Sequence, residues 1–193
     1  YAKQSSDNLV NVITMVVLSI QQPWLSVGDQ MADVKQNGLD SKFLWGNKRK
    51  AYTYITKRKD FIHNQYLAVI NSSKSDDDKA YSLMNIFLRV EGLGMVKAGF
   101  VCQLSAGLVG CIDIHNLRMY SIPMKDLKLS KSVKSKAIKN RRVMNYISIC
   151  HDIGTEKLWN TWCNTLATKS KRFEDGFHVS QVHYSYLQDA VNL

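Results

Sequence analysis

A chain of 193 residues is long enough for one domain, or for two helical lobes sharing one interface. An apolar fraction of 45% supplies an ordinary core, while the net charge of +10 points to a polyanionic partner. Nucleic acid leads, an anionic membrane surface follows, and plain solubility is the bland alternative. Only two prolines, with no long alternating strand pattern, argue for a helical protein.

The four cysteines, Cys102, Cys111, Cys150 and Cys163, form no Cys-x-x-Cys pair and have no tight His/Cys cluster beside them. No disulfide framework or metal site is therefore expected; reduced, buried thiols in an intracellular protein are. There is no signal-peptide pattern and no apolar run long enough to span a membrane. Residues 10–20 are too short for that and are interrupted by Asn11, Thr14 and Ser19. The chain begins at Tyr1 rather than a methionine, so a missing or processed upstream segment is expected.

The pattern predicts a mostly buried helix over 8–21, with Asp7 as N-cap and Pro23 as stop. A second helix is expected over 26–37, closed by Gly38. Phe43, Leu44 and Trp45 then anchor a basic stretch, Lys48, Arg49, Lys50, Lys57, Arg58 and Lys59, interleaved with Tyr52, Tyr54 and Phe61. Such alternation suits a backbone groove with stacking, or an amphipathic helix whose tyrosines face inward. Residues 71–79 form the best loop, and their aspartates suit a solvated helix start better than a metal site. A helix over 79–90 leads to Gly92-Leu93-Gly94, a spacing that permits a tight turn and a close backbone approach. The free N–H groups of the next helix could hold a phosphate. Ala98 and Gly99 are small where two helices of a hairpin would pack.

Asp113 follows, either as the N-cap of a helix starting near His115 or as a catalytic carboxylate. After Pro123, lysines at 125, 128, 131 and 134 recur every three residues, the strongest electrostatic footprint in the chain. Its alternative is a basic solvent face. The tail carries Trp159, Trp162, Phe173, Phe177 and Tyr184 in helical settings, expected to pack a final layer. His178 and His183 are spaced by five, which discounts a helical metal pair.

Three segments together resemble the helix–hairpin–helix (HhH-GPD) DNA glycosylase superfamily, the relatives of endonuclease III. Val90-Glu91-Gly92-Leu93-Gly94 is similar to the family's hairpin. Ile112-Asp113-Ile114-His115, running on to Arg118, is similar to the segment bearing its essential aspartate. Residues 12–21, ending Leu-Ser-Ile-Gln, look like its early Leu-Ser-x-Gln helix. The resemblance covers roughly residues 9–120.

It implies an all-α, two-lobed helical fold over a single domain, 1–193. One lobe would span about 25–120 with the hairpin at 90–99, and the other about 1–24 plus 121–193. It implies Asp113 as the catalytic residue, with Gly92, Gly94, Lys97, Gln21, Lys128, Lys131 and Arg118 as DNA contacts. Gln21 would fill the gap left by an extruded base, or simply end a helix. The implied function is a DNA N-glycosylase on double-stranded DNA, flipping a base and cleaving its N-glycosidic bond. It would act as a monomer without a cofactor, cytoplasmic or in a host cytoplasm. The family's iron–sulfur loop is absent, since the cysteine spacing does not supply it.

Two departures refine this. Strand-cleaving members place a lysine two residues after the second hairpin glycine, where this chain has Val96. Lys97 comes one residue later and should face elsewhere, because one residue turns a helical side chain by about 100°. Lyase activity is therefore not expected. Glu91 replaces the usual hairpin proline and puts an acid near the phosphate site. The alternatives are a phage-type enzyme of this fold that modifies a base, such as a hypermodified thymine, in place; a non-catalytic DNA-binding module; and, more distantly, an RNA-binding helical protein.

Overall fold

The computed structural model describes residues 1–127 and 135–169. Among these residues the chain is all-α, with nine helices and no strand, as its sequence predicts. The first helix, α1 (Ser6–Leu18), starts two residues earlier than expected. Ser5, not Asp7, is its N-cap, with Oγ accepting the Asn8 N–H at 3.1 Å. Asp7 sits in the first turn, where a carboxylate suits the helix dipole, and pairs with Lys59 at 2.8 Å.

Residues 12–18 of α1 are all buried, so this helix must be enclosed by others. Around it pack α2 (Val27–Asn37), α3 (Gly46–Lys57), α4 (Lys59–Ile70) and α6 (Met95–Ala106). Helix α1 thus packs among helices of the 25–120 stretch, with which the expected lobe division does not group it. Helix α5 (Asp76–Phe87) begins inside the expected loop. Ser75 caps it, and Asp76, Asp77 and Asp78 fill its first turn.

Helix α7 (Ile114–Met119) follows the hairpin pair, then α8 (Lys136–Ile153) and α9 (Thr155–Lys169). Helix α8 packs on α5 and α9, and α9 on α7. Trp24 joins this layer to the rest, meeting Trp162 edge-on at 4.9 Å and Phe100 at 5.7 Å. Tyr52 and Tyr54 are half-buried against the core, as the inward-facing alternative requires, while Phe61 is exposed. All four cysteines are buried and free. Lys125 lies in a short 3-10 turn. Lys128, Lys131 and Lys134 fall outside the described residues, as do Phe173, Phe177, His178, His183 and Tyr184.

Candidate active site where the hairpin helix meets the end of α1

The two hairpin glycines have different jobs. Gly92 adopts φ +90°, and a Cβ there would lie 3.1 Å from Cβ of Asn47. Gly94 is extended, at φ −89° and ψ 177°, and a Cβ there would meet nothing within 4 Å. Gly94 is the N-cap of α6 and offers no side chain to it. The first-turn N–H groups of α6 are thus open to an outside acceptor. Glu91 is turned into solvent, where it pairs with Lys50 at 3.4 Å.

Lys97 does not face elsewhere. Its Nζ donates to Ser19 Oγ at 3.0 Å and lies 5.5 Å from the Phe100 ring centroid. The reason is the helical face: Lys97 and Phe100, three residues apart, share the side of α6 that meets residues 19–24. Burial pushes the Lys97 ammonium below its ordinary value, and Cys111 and the Asp113 carboxylate oppose that shift. Lys97 is therefore a half-buried amine in the field of Asp113, not a surface cation.

A second amine arrives from α3. Lys48 is buried, and its Nζ donates to the Leu18 carbonyl at 2.8 Å. Burial, then the neighbouring charge of Lys97, lowers its pKa. Two lysines thus converge on the carbonyl end of α1, where a helix carries partial negative charge. The exposed Trp45 ring lies 5.4 Å from the Lys48 amine.

Asp113 is the N-cap of α7, as expected. Its Oδ1 accepts the N–H groups of His115 and Asn116, each at 3.0 Å. Oδ2 has no hydrogen-bond partner among the described residues, which leaves one carboxylate oxygen available. Three helices clamp the segment that delivers Asp113. Tyr146 of α8 donates its hydroxyl to the Gly110 carbonyl at 2.9 Å and accepts the Ile112 N–H at 3.0 Å. Gln103 of α6 accepts the Cys111 N–H at 2.9 Å. Asn116 donates to the carbonyls of Cys111 at 2.8 Å and Leu158 of α9 at 3.1 Å. Gly99 makes room for this clamp, since a Cβ there would sit 2.6 Å from the Tyr146 hydroxyl.

The other expected contacts are outside this cluster. Gln21 is exposed just beyond α1 with φ +55°, a conformation that asparagine and glycine adopt more readily than glutamine. Arg118 is exposed in the last turn of α7. No group of three His, Cys, Asp or Glu among the described residues could hold a metal ion.

The sequence pattern does not single out Ser19, Gln103, Asn116 or Tyr146 as site residues, and it places Lys48 only within a basic stretch. Lys48 carries a signal nonetheless: it shares the buried stripe of α3 with Ala51 and Ile55. Comparison with protein-family models, with curated proteins and with solved structures finds no match to this chain.

Proposed function

We propose that this protein is a base-flipping DNA N-glycosylase, in which Asp113 stabilises the positive charge that develops on the sugar as the glycosidic bond breaks. One observation carries this reading. A carboxylate with a free oxygen is held by three helices in the field of a half-buried amine, on a helix whose uncapped start is a hairpin. The hairpin N–H groups would hold a backbone phosphate. Asp113 would act electrostatically and position or activate the attacking water. Double-stranded DNA is the partner that fits the +10 charge, engaged by a monomer in a cytoplasmic setting. Gln21, exposed just beyond α1, would be the side chain that enters the gap left by the flipped base.

The position of Lys97 favours a second reading. A neutral amine can attack the anomeric carbon as the base departs, forming a Schiff base that leads to strand cleavage. The lowered pKa of Lys97 raises its neutral fraction.

Base release from duplexes carrying uracil, oxidised, alkylated and 5-substituted pyrimidine bases tests both readings, with products treated with and without alkali. Alkali-dependent breaks identify hydrolytic release and its substrate. Breaks without alkali, with a borohydride-trapped adduct lost in Lys97→Met, identify Lys97 as nucleophile. Salt-sensitive binding without base release from any duplex contradicts both and moves the assignment to in-place base modification or to binding alone.

A further inference from the structure

A second feature shares the hairpin but none of the Asp113, Lys97, Lys48 and Ser19 cluster. It is an open groove of about 920 Å³ between α4, α5 and the start of α8, with residues 91–94 forming one wall. Its size lies within the range of small-ligand clefts, roughly 300–1,000 Å³. Arg89, Lys136 and Lys139 line it, all exposed and none with an ion-pair partner among the described residues. The acid in its wall, Glu91, is already paired with Lys50.

The two lysines are also in an unfavourable place. They occupy the first turn of α8, which contains no acidic residue, so their charges oppose the helix dipole. A bound anion offsets both costs at once. Between the cations the lining is of another kind: the amides of Gln65, Asn85 and Asn140, the half-buried ring of Tyr81, and an apolar floor including Ile86 and Val143. Cations beside amides and an aromatic face match a chain that alternates phosphates with bases.

The geometry points to this groove as the seat of a single-stranded stretch of DNA, the continuation of the strand held at the hairpin. The inference rests on the DNA reading above and adds a partner conformation to it. Continuity decides for a strand over a free nucleotide, because Gly92 and Gly94 line the same groove that Arg89, Lys136 and Lys139 extend. Flexibility decides for a single strand over a duplex. A duplex, with a persistence length of about 150 base pairs, follows a local concavity only at a bending cost, whereas a single strand follows it freely.

The test uses the full chain and three fluorescent DNAs: a blunt duplex, the same duplex with a single-stranded tail on either end, and the tail alone. Arg89→Gln/Lys136→Gln/Lys139→Gln removes the three cations, and Lys136→Arg/Lys139→Arg keeps all three charges in place. A tail should tighten binding on the order of tenfold, and the advantage should vanish in the triple variant while blunt-duplex binding persists. The salt slope for tailed DNA should fall by about 2, three contacts at about 0.7 each. The Arg variant should keep the tail preference.

A parent with no tail preference overturns the inference, as does a triple variant that retains it. Competition by a deoxynucleoside monophosphate as effective as the tail overturns it in favour of a small-molecule pocket. Failure to bind any of the DNAs overturns it together with the DNA reading. Base release from the duplex panel by the same preparation separates the two failures, since release with no tail preference sinks the groove alone.

Discussion

The Asp113 cluster and the hairpin groove both begin at the same turn of chain, yet they are built in opposite ways. Around Asp113, polar groups are buried or half-buried and each is fixed by a named partner: Lys97 on Ser19, Lys48 on Leu18, Tyr146 on Gly110 and Ile112. In the groove the cations are exposed and have no acidic partner among the described residues. The first arrangement sacrifices solvation to gain position, which suits chemistry at a defined atom. The second keeps its charges hydrated and movable, which suits attraction of a polyanion. Changes in the cluster should therefore register in folding stability, and changes in the groove in binding and its salt dependence.

The largest expected effect is on pH stability. Burial pushes the Cys111 and Cys150 thiols up to about 12, from an ordinary value of 9.0. Below pH 9 both thiols are protonated whether the chain is folded or not. Above it the unfolded chain ionises while the folded one stays neutral, so stability falls as pH rises towards 12. The slope is about 1.4 kcal/mol per pH unit for each thiol. Cys102 and Cys163, also raised by burial, add to this decline, while Lys97 and Lys48 pull the other way up to their unfolded value of 10.5, because burial lowers their folded pKa. Denaturant titrations between pH 8 and 10.5 should thus show a decline that Cys111→Ala or Cys150→Ala flattens and Lys97→Met steepens. A flat profile in the parent would contradict the burial of this cluster.

Gly99→Ala probes the same region by volume. Its Cβ would meet the Tyr146 hydroxyl at 2.6 Å and the Gly110 carbonyl at 2.8 Å, and the latter is backbone that cannot swing away. A loss of about 1–3 kcal/mol is expected, a fall in Tm of roughly 2–12 °C. An unchanged Tm would mean that the clamp on Asp113 is loose.

The hairpin glycines sharpen the comparison further. Gly92→Ala forces a side chain into φ +90° against Asn47 and should cost about 1–3 kcal/mol. Gly94→Ala meets no neighbour, and exchanging one poor cap for a poorer one costs under about 1 kcal/mol. If the α6 N-terminus meets phosphate, Gly94→Ala should still weaken duplex binding by crowding the approach. Thermal melts paired with binding isotherms separate these effects; equal losses of stability for the two variants would contradict the geometry at residue 92.

The helical class was legible because periodic apolar residues, Gly38 and Pro23 mark boundaries through backbone chemistry alone. The hairpin and the capping role of Asp113 were legible for the same reason, since turns and caps are local. The environment of Lys97 is not legible in the sequence, because a 100° offset gives a direction relative to its own helix, whereas the face that meets α1 is chosen by tertiary packing around Phe100. In the sequence Lys48 is one of a run of cations with Arg49 and Lys50, and nothing local shows that it alone of the three is buried. Only the stripe with Ala51 and Ile55 hints at it. Tyr146 lies 34 residues from its acceptor partner Ile112, a pairing that no local pattern encodes. The place of α1 likewise depends on which helices enclose it.

The central claim, that Asp113 performs chemistry as well as capping α7, is tested most directly by single-turnover base release in Asp113→Asn on whichever duplex the panel identifies. Asparagine retains a side-chain oxygen for the His115 and Asn116 N–H groups, so Tm should stay within a few degrees of the parent. The account predicts a release rate lower by about 10²–10³-fold, the scale of losing one transition-state electrostatic contact. A rate equal to the parent's, at equal Tm, would leave Asp113 a cap and contradict the account.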